Sequence, residues 1–179
     1  MLVEVHDGDS ARAATAQGAE ALVVRGPLHG VREASELPIL WCAPGSPREA
    51  NDAGADAYLV IVEDYEDEDG DLERLYAEAL ELGLDCVLEV RSEDELELAL
   101  ERVDPEIFLL SAKGEEGGED ALAWALELLP DVPVGKLAIA EAPVTRRDEV
   151  VELERAGVDA VIVGARDIAG LVGGPAPEV

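Results

Sequence analysis

Little in this chain is suited to holding a metal, crossing a membrane or attracting a polyanion. Its two cysteines, Cys42 and Cys86, stand far apart without a CxxC pattern, and its two histidines, His6 and His29, have no further ligands at fixed spacing. Neither a zinc site nor a disulfide framework is therefore expected, and both thiols are expected to be reduced and buried. The longest clean apolar runs, such as Ala57 to Val62, fall far short of the roughly 20 residues that a membrane helix needs. Met1 leads straight into an apolar-alternating segment with neither a basic n-region nor a cleavage site. No secretory leader is expected, and the reading is a soluble, cytoplasmic protein. Aromatic residues make up only 3% of the chain, which favours packing over stacking as the role of Trp41.

Basic residues are the other scarcity: 13 against 42 acidic ones, for a formal net charge of -29, with Lys113 and Lys136 the only lysines. Such a surface repels nucleic acid and anionic membranes, which are excluded as partners. Dense carboxylates suit concentrated salt, which screens their mutual repulsion, so a halophilic, salt-requiring fold is expected. The run "EDYEDEDGD", from Glu63 to Asp71, invites a calcium reading, but an EF-hand anchored on Gly70 needs carboxylates where Tyr65 and Tyr76 stand. It is read as a solvated acidic loop. No metal and no cofactor is expected.

What is present is a rhythm. A polar helical stretch, a Gly, an acidic residue and an apolar run recur as "QGAEALVV" (Gln17 to Val24), "AGADAYLVI" (Ala53 to Ile61), "LGLDCVLEV" (Leu82 to Val90) and "AGVDAVIVG" (Ala156 to Gly164). "RVDPEIFLL", Arg102 to Leu110, is a variant without the Gly. The Gly suits a left-handed helix C-cap and the apolar run a strand buried on both faces, so each phrase reads as a helix-to-strand junction. Further strands are read in "LVEV", "PILWCA" and "KLAIAEA", and helix starts at Asp9-Ser10, Ser46-Pro47, Ser92 and Thr145, with "SEDE" (Ser92 to Glu95) as a capping box. Strands beginning near residues 2, 21, 38, 57, 85, 106, 136 and 159 make eight βα units, the number that closes a barrel.

The fold class is therefore a small single-domain (β/α)8 TIM barrel over residues 1–179, with 171–179 as a flexible tail. At about 22 residues per unit it falls below the usual lower size of roughly 200. The competitor is an open doubly wound sheet of five or six strands, which requires two units to be misread; the weak helical stretch "PLHGVREASEL" is the natural suspect.

In a barrel, chemistry sits at the carboxyl ends of the strands. Those ends offer Glu4, His6 and Asp7; Arg25; Trp41 and Cys42; Glu63 and Asp64; Glu89 and Arg91; Ser111 and Lys113; Glu141; and Gly164 with Arg166. Glu89 and Glu141 interrupt apolar strands, and a carboxylate there needs a partner or a raised pKa, the latter being what acid–base catalysis uses. A plain polar rim is the competing reading. Arg146-Arg147 belong most simply to a solvated helix face.

From Gly83 to Gly164 the sequence resembles the indole-3-glycerol phosphate synthase family, a ribulose-phosphate-binding (β/α)8 barrel. "GLDCVLEVRSEDELELALE" resembles that family's fifth strand and following helix, and "LAIAEAPVTRRDEVVELERAGVDAVIVGARDI" its seventh and eighth units. The resemblance implies lyase activity in tryptophan biosynthesis and a small phosphorylated metabolite as ligand. It assigns catalytic roles to Glu89, Glu141, Glu4 and His6, the last two in an "EVH" where the family has Glu-x-Lys. Phosphate binding falls to Gly164, Ala165 and Arg166. It also implies departures: Cys42 stands for the strand-three general-acid Lys, His6 for the strand-one Lys, Ser111-Ala112 for a pair of Asn, and Ala142-Pro143 for Ser-Gly, removing an N–H donor. A ring closure without its general acid loses about 10²- to 10⁴-fold. Three readings follow: a phosphometabolite enzyme, either of the lyase type or like phosphoribosylanthranilate isomerase; a barrel that binds a ligand or partner without catalysis; and a structural paralogue.

Overall fold

The computed structural model describes residues 1–65, 70–112, 121–164 and 168–171. Eight parallel strands alternate with helices: β1 (Leu2–Glu4), α1 (Gly8–Ala16), β2 (Ala21–Val24), α2 (Val31–Ala34), β3 (Ile39–Trp41), α3 (Pro47–Ala53), β4 (Ala57–Ile61) and α4 (Asp71–Glu81). The second half adds β5 (Asp85–Val90), α5 (Glu93–Arg102), β6 (Ile107–Ser111), α6 (Ala121–Leu128), β7 (Leu137–Glu141), α7 (Arg147–Ala156), β8 (Ala160–Gly164) and α8 (Ile168–Leu171). Each strand pairs with the next, and β8 returns to β1 through Leu2↔Ile162 and Glu4↔Gly164, so the sheet closes in chain order. An open sheet is thereby ruled out. "PLHGVREASEL" does hold a helix, the four-residue α2.

Closure follows from alternation along each strand, which turns successive side chains to opposite faces. One aliphatic side chain from every strand, from Leu2 of β1 to Ile162 of β8, fills the interior as one cluster. The opposite faces, including Leu22, Leu88 and Leu110, join the inner stripes of the helices in a second, larger core. Alanines at helix contacts, such as Ala14, Ala50 and Ala99, let the short helices lie close to the sheet.

The recurring glycines act as helix caps. Gly54 and Gly157 close α3 and α7 at φ 89° and 109°, where a β-carbon is strained. In the variant lacking Gly, Asp104 takes the same region at φ 48° and is the one non-glycine residue there among the described residues. The acid of the phrase has its own task. Asp56 Oδ2 accepts the N–H of Ile39 at 2.8 Å and Asp159 Oδ2 that of Ala138 at 2.8 Å, so each carboxylate ties its strand to the start of the strand before it.

Helix starts differ in detail from expectation. α1 is capped by Asp7, whose carboxylate accepts the Ser10 N–H at 2.8 Å, two residues before the expected Asp9-Ser10. α7 starts at Arg147 rather than after Thr145, because the Glu149 carboxylate gathers the N–H groups of both Thr145 and Arg146. Ser92 caps α5, while Glu95 reaches past it to the N–H of Arg91 at 2.7 Å. Only one thiol is buried: Cys86, whose ionisation burial pushes up to about 12, whereas Cys42 is half-buried; neither is in a disulfide. Of the expected tail, Leu171 instead completes α8 and is buried, and 172–179 lie outside the described residues. So do 66–69 of the acidic run. No described helix is long and apolar enough to cross a membrane.

Candidate functional site

The period of two that fills the barrel also builds its mouth. Two residues beyond the interior aliphatics Leu2, Val23, Leu40, Val87, Leu109, Ile139 and Ile162 stand Glu4, Arg25, Cys42, Glu89, Ser111, Glu141 and Gly164. A polar layer therefore caps the apolar one at the carboxyl ends of the strands.

Two guanidinium groups organise this layer. Arg25 Nη2 donates to Glu141 Oε1 at 2.6 Å and its Nε to Glu4 Oε2 at 3.4 Å, joining β2, β1 and β7. Burial by itself lowers the Arg25 pKa, but Glu141, Cys42 and Glu4 together outweigh it and raise the pKa above the usual value. Across the barrel, Arg91 Nε and Nη2 donate to Glu89 Oε1 at 3.2 and 3.1 Å, and Nη1 pairs with Glu63. Arg91 is also held by its backbone: its N–H meets Glu95, and its carbonyl accepts from Trp124 Nε1 at 3.1 Å. Glu89 is completely buried, so the guanidinium offsets a desolvation cost that an unpaired carboxylate cannot bear. Arg91 is likewise raised: burial lowers it, and Glu89 with the neighbouring carboxylates more than compensates.

Glu4, Ser111, Glu141, Pro143, Ile162 and Gly164 line a cavity of about 270 Å³ at the mouth. Ser111 is 1% exposed, and its Oγ has no hydrogen-bond partner among the described residues. At Gly164 the chain is not left-handed, and an added Cβ would meet nothing within 4 Å. Neither backbone strain nor crowding thus demands glycine at this position, which leaves open space beside the cavity.

Of the residues singled out from sequence, Glu4, Glu141 and Gly164 converge on this cavity, and Glu89 lies under Arg91 on the other side of the mouth. His6 is exposed just beyond β1, its N–H donating to Ser10 Oγ at 3.1 Å, and is absent from the cavity lining. Ala165 and Arg166, like Lys113, lie outside the described residues. Lys136 sits at the amino end of β7 with Asp104 and Glu106, far from this chemistry. Sequence reasoning placed Arg25 and Arg91 at strand ends without giving them a role; Arg25 carries the signal of an ionisable residue two positions past an interior aliphatic, Val23, whereas Arg91 stands two past Glu89 and has no such signal. Asp7 proves to be a helix cap, and Trp41 a buried side chain whose Nε1 donates to the Gly26 carbonyl.

A closed barrel with a polar layer at the carboxyl ends of its strands defines the class: a (β/α)8 barrel. The family model for indole-3-glycerol phosphate synthase matches residues 45–168, and the chain belongs to that family. It is 35% identical over 141 residues to indole-3-glycerol phosphate synthase of Acidithiobacillus ferrooxidans, covering 76% of this chain and 52% of that protein. To that of Geobacillus sp. it is 31% identical over 144 residues, covering 78% and 55%. The chain thus spans about half the length of the curated relatives it matches. Among solved structures, an N-acetylmannosamine-6-phosphate 2-epimerase from Clostridium perfringens superposes with a TM-score of 0.74 at 14% identity, covering 94% of this chain and 86% of that one. A mutant tryptophan synthase alpha-subunit from Pyrococcus furiosus gives 0.69 at 17%, covering 93% and 88%. At these identities the likeness concerns the fold alone.

Proposed function

We propose that this barrel binds a small phosphorylated metabolite at its carboxyl-end mouth and has given up the ring-closing lyase chemistry of its family. The observation that carries the reading is the open glycine at Gly164, beside a cavity that also receives Glu4, Glu141 and the unpartnered hydroxyl of Ser111. Phosphate lodges beside Gly164; the family resemblance adds Ala165 and Arg166, which lie outside the described residues. Glu4, Glu141 and Ser111 take the hydroxyl or carbonyl groups of the ligand. The loss of lyase chemistry is supported by the cations at the mouth: among the described residues these are Arg25 and Arg91, whose guanidiniums stay protonated and cannot serve as a general acid.

Thermal unfolding in concentrated KCl, with inorganic phosphate, a ribulose phosphate and indole-3-glycerol phosphate as ligands, tests the site. A saturable stabilisation that Gly164→Asp abolishes is expected; no response to any phosphorylated compound refutes phosphate binding. In a separate assay, formation of indole-3-glycerol phosphate refutes the loss of lyase activity.

A further inference from the structure

The cavity at the mouth lies along one side of the rim. Its wall runs over the consecutive strands β6, β7, β8 and β1, where Ser111 pairs with Glu141, Glu141 with Ile162, and Gly164 with Glu4. Ser111 is the unmet demand of this wall: it is 1% exposed, and its Oγ has no hydrogen-bond partner among the described residues. A buried hydroxyl left unbonded is costly, and a ligand oxygen beside it removes that cost. The neighbouring carboxylates ask for something narrower. An ionised carboxylate only accepts, so Glu4 and Glu141 call for ligand groups that donate. Arg25 is the counter-charge that these two already share. A second anionic group on the ligand therefore meets carboxylates, whereas neutral hydroxyls bond to them.

No aromatic side chain reaches this cavity. Phe108 is buried in the outer core, and Tyr65 and Tyr76 pack against that core. Trp41 Nε1 and the Tyr58 hydroxyl are bonded to the carbonyls of Gly26 and Gly45, and Trp124 Nε1 to that of Arg91. These three tyrosines, two tryptophans and one phenylalanine are all that the chain has, so the sequences of 66–69, 113–120 and 165–167 contain none. The lining offers the ligand's carbon atoms small aliphatic contacts such as Ala112, Ala142 and Pro143. Its volume of about 270 Å³ falls below the roughly 300–1,000 Å³ of sites for drug-sized ligands.

We propose, resting on the phosphate site put forward above, that the ligand is a short polyhydroxylated chain with one phosphate and no aromatic ring, and that Ser111 selects it. Ser111 Oγ bonds an oxygen of the chain, Glu4 and Glu141 accept from its hydroxyls, and the phosphate lies beside Gly164. The indole of the family's name has no counterpart in this ligand, because the wall that would face a ring carries carboxylates and a hydroxyl instead of a flat apolar surface.

Calorimetric titration of the full chain in about 1 M KCl, where the screening length is about 3 Å, tests this with inorganic phosphate, a ribulose phosphate and indole-3-glycerol phosphate as probes. Ribulose phosphate is expected to bind about tenfold or more tightly than indole-3-glycerol phosphate. Ser111→Ala is expected to weaken ribulose phosphate about three- to tenfold, the share of one hydrogen bond, and to leave inorganic phosphate unchanged. Because this substitution removes an unbonded buried hydroxyl, the melting temperature of the unliganded protein should not fall, which separates selection from a structural role. Equal affinity of wild type and Ser111→Ala for ribulose phosphate, or indole-3-glycerol phosphate binding as tightly as ribulose phosphate, overturns the proposal while phosphate binding stands. Failure of all three probes to bind refutes the phosphate site itself, and this proposal with it.

Discussion

Arg25 reaches Glu141 across 2.6 Å at the barrel mouth, although 116 residues separate them along the chain. With Glu4 accepting from the same guanidinium, one side chain spans three of the eight strands, and its removal brings two carboxylates together without their shared counter-charge.

Arg25→Ala is therefore expected to lower stability by about 1–3 kcal/mol. Arg25→Lys restores part of this at most, because an ammonium lacks the planar fork that meets two carboxylates at once. Thermal unfolding of the three proteins checks this, and an unchanged melting temperature for the alanine variant shows that the bridge contributes nothing.

Arg91→Ala strikes harder, because it leaves the fully buried Glu89 without its guanidinium; a loss of about 3–5 kcal/mol is expected. Adding Glu89→Gln to Arg91→Ala removes the buried charge, so the double variant is expected to be more stable than Arg91→Ala alone. Denaturant unfolding of the full cycle measures the coupling, and strict additivity contradicts it.

The two glycines of the closing "AGVDAVIVG" phrase should behave oppositely. Gly157→Ala places a β-carbon at φ 109° and costs about 1–2 kcal/mol. Gly164→Ala meets no atom within 4 Å and leaves stability within about 0.5 kcal/mol, while narrowing the proposed phosphate site. Equal melting shifts for the two contradict this division of roles.

Salt dependence follows from the charge. With 42 acidic against 13 basic residues, raising KCl from about 0.1 to 1 M shortens the screening length from about 10 to 3 Å, and the melting temperature is expected to climb. The affinity for a phosphorylated ligand should climb with it, because the protein's field repels the anion at low salt. A melting temperature flat in KCl defeats the halophilic reading.

Acid acts through helix caps. Glu49 is held below its ordinary 4.5 by the backbone N–H and side chain of Ser46, and Glu149 by the N–H groups of Thr145 and Arg146. Asp7 is held low likewise by Ser10. Because these carboxyls bind protons more readily unfolded than folded, their contribution is full above the unfolded pKa and is lost as pH falls through the depressed folded values. Melting temperature is expected to drop below about pH 4.5, less steeply in Glu49→Gln, which has no proton to gain. Identical profiles for wild type and Glu49→Gln dismiss the cap as a contributor.

Much of this was legible in local pattern. The Gly-acid-apolar phrase located β2, β4, β5 and β8, because a helix that turns into a buried strand needs a left-handed cap and then an uninterrupted apolar run. Even the phrase without Gly located β6, with Asp104 bearing the strain. The capping pair Ser46 and Glu49 lie within four residues of each other, so their bonds could be read directly; Asp7 and Glu149 could not, since either neighbouring start offered an acceptor.

The sequence by itself determined the number and order of strands along the chain and which carboxylates stand at their carboxyl ends, since apolar runs and capping signals are properties of adjacent residues. Only the tertiary structure decided what those carboxylates touch. Whether Glu141 meets Arg25 and Gly164 opens onto a cavity depends on closing β8 against β1. That closure brings together atoms more than a hundred residues apart, at distances no local spacing encodes.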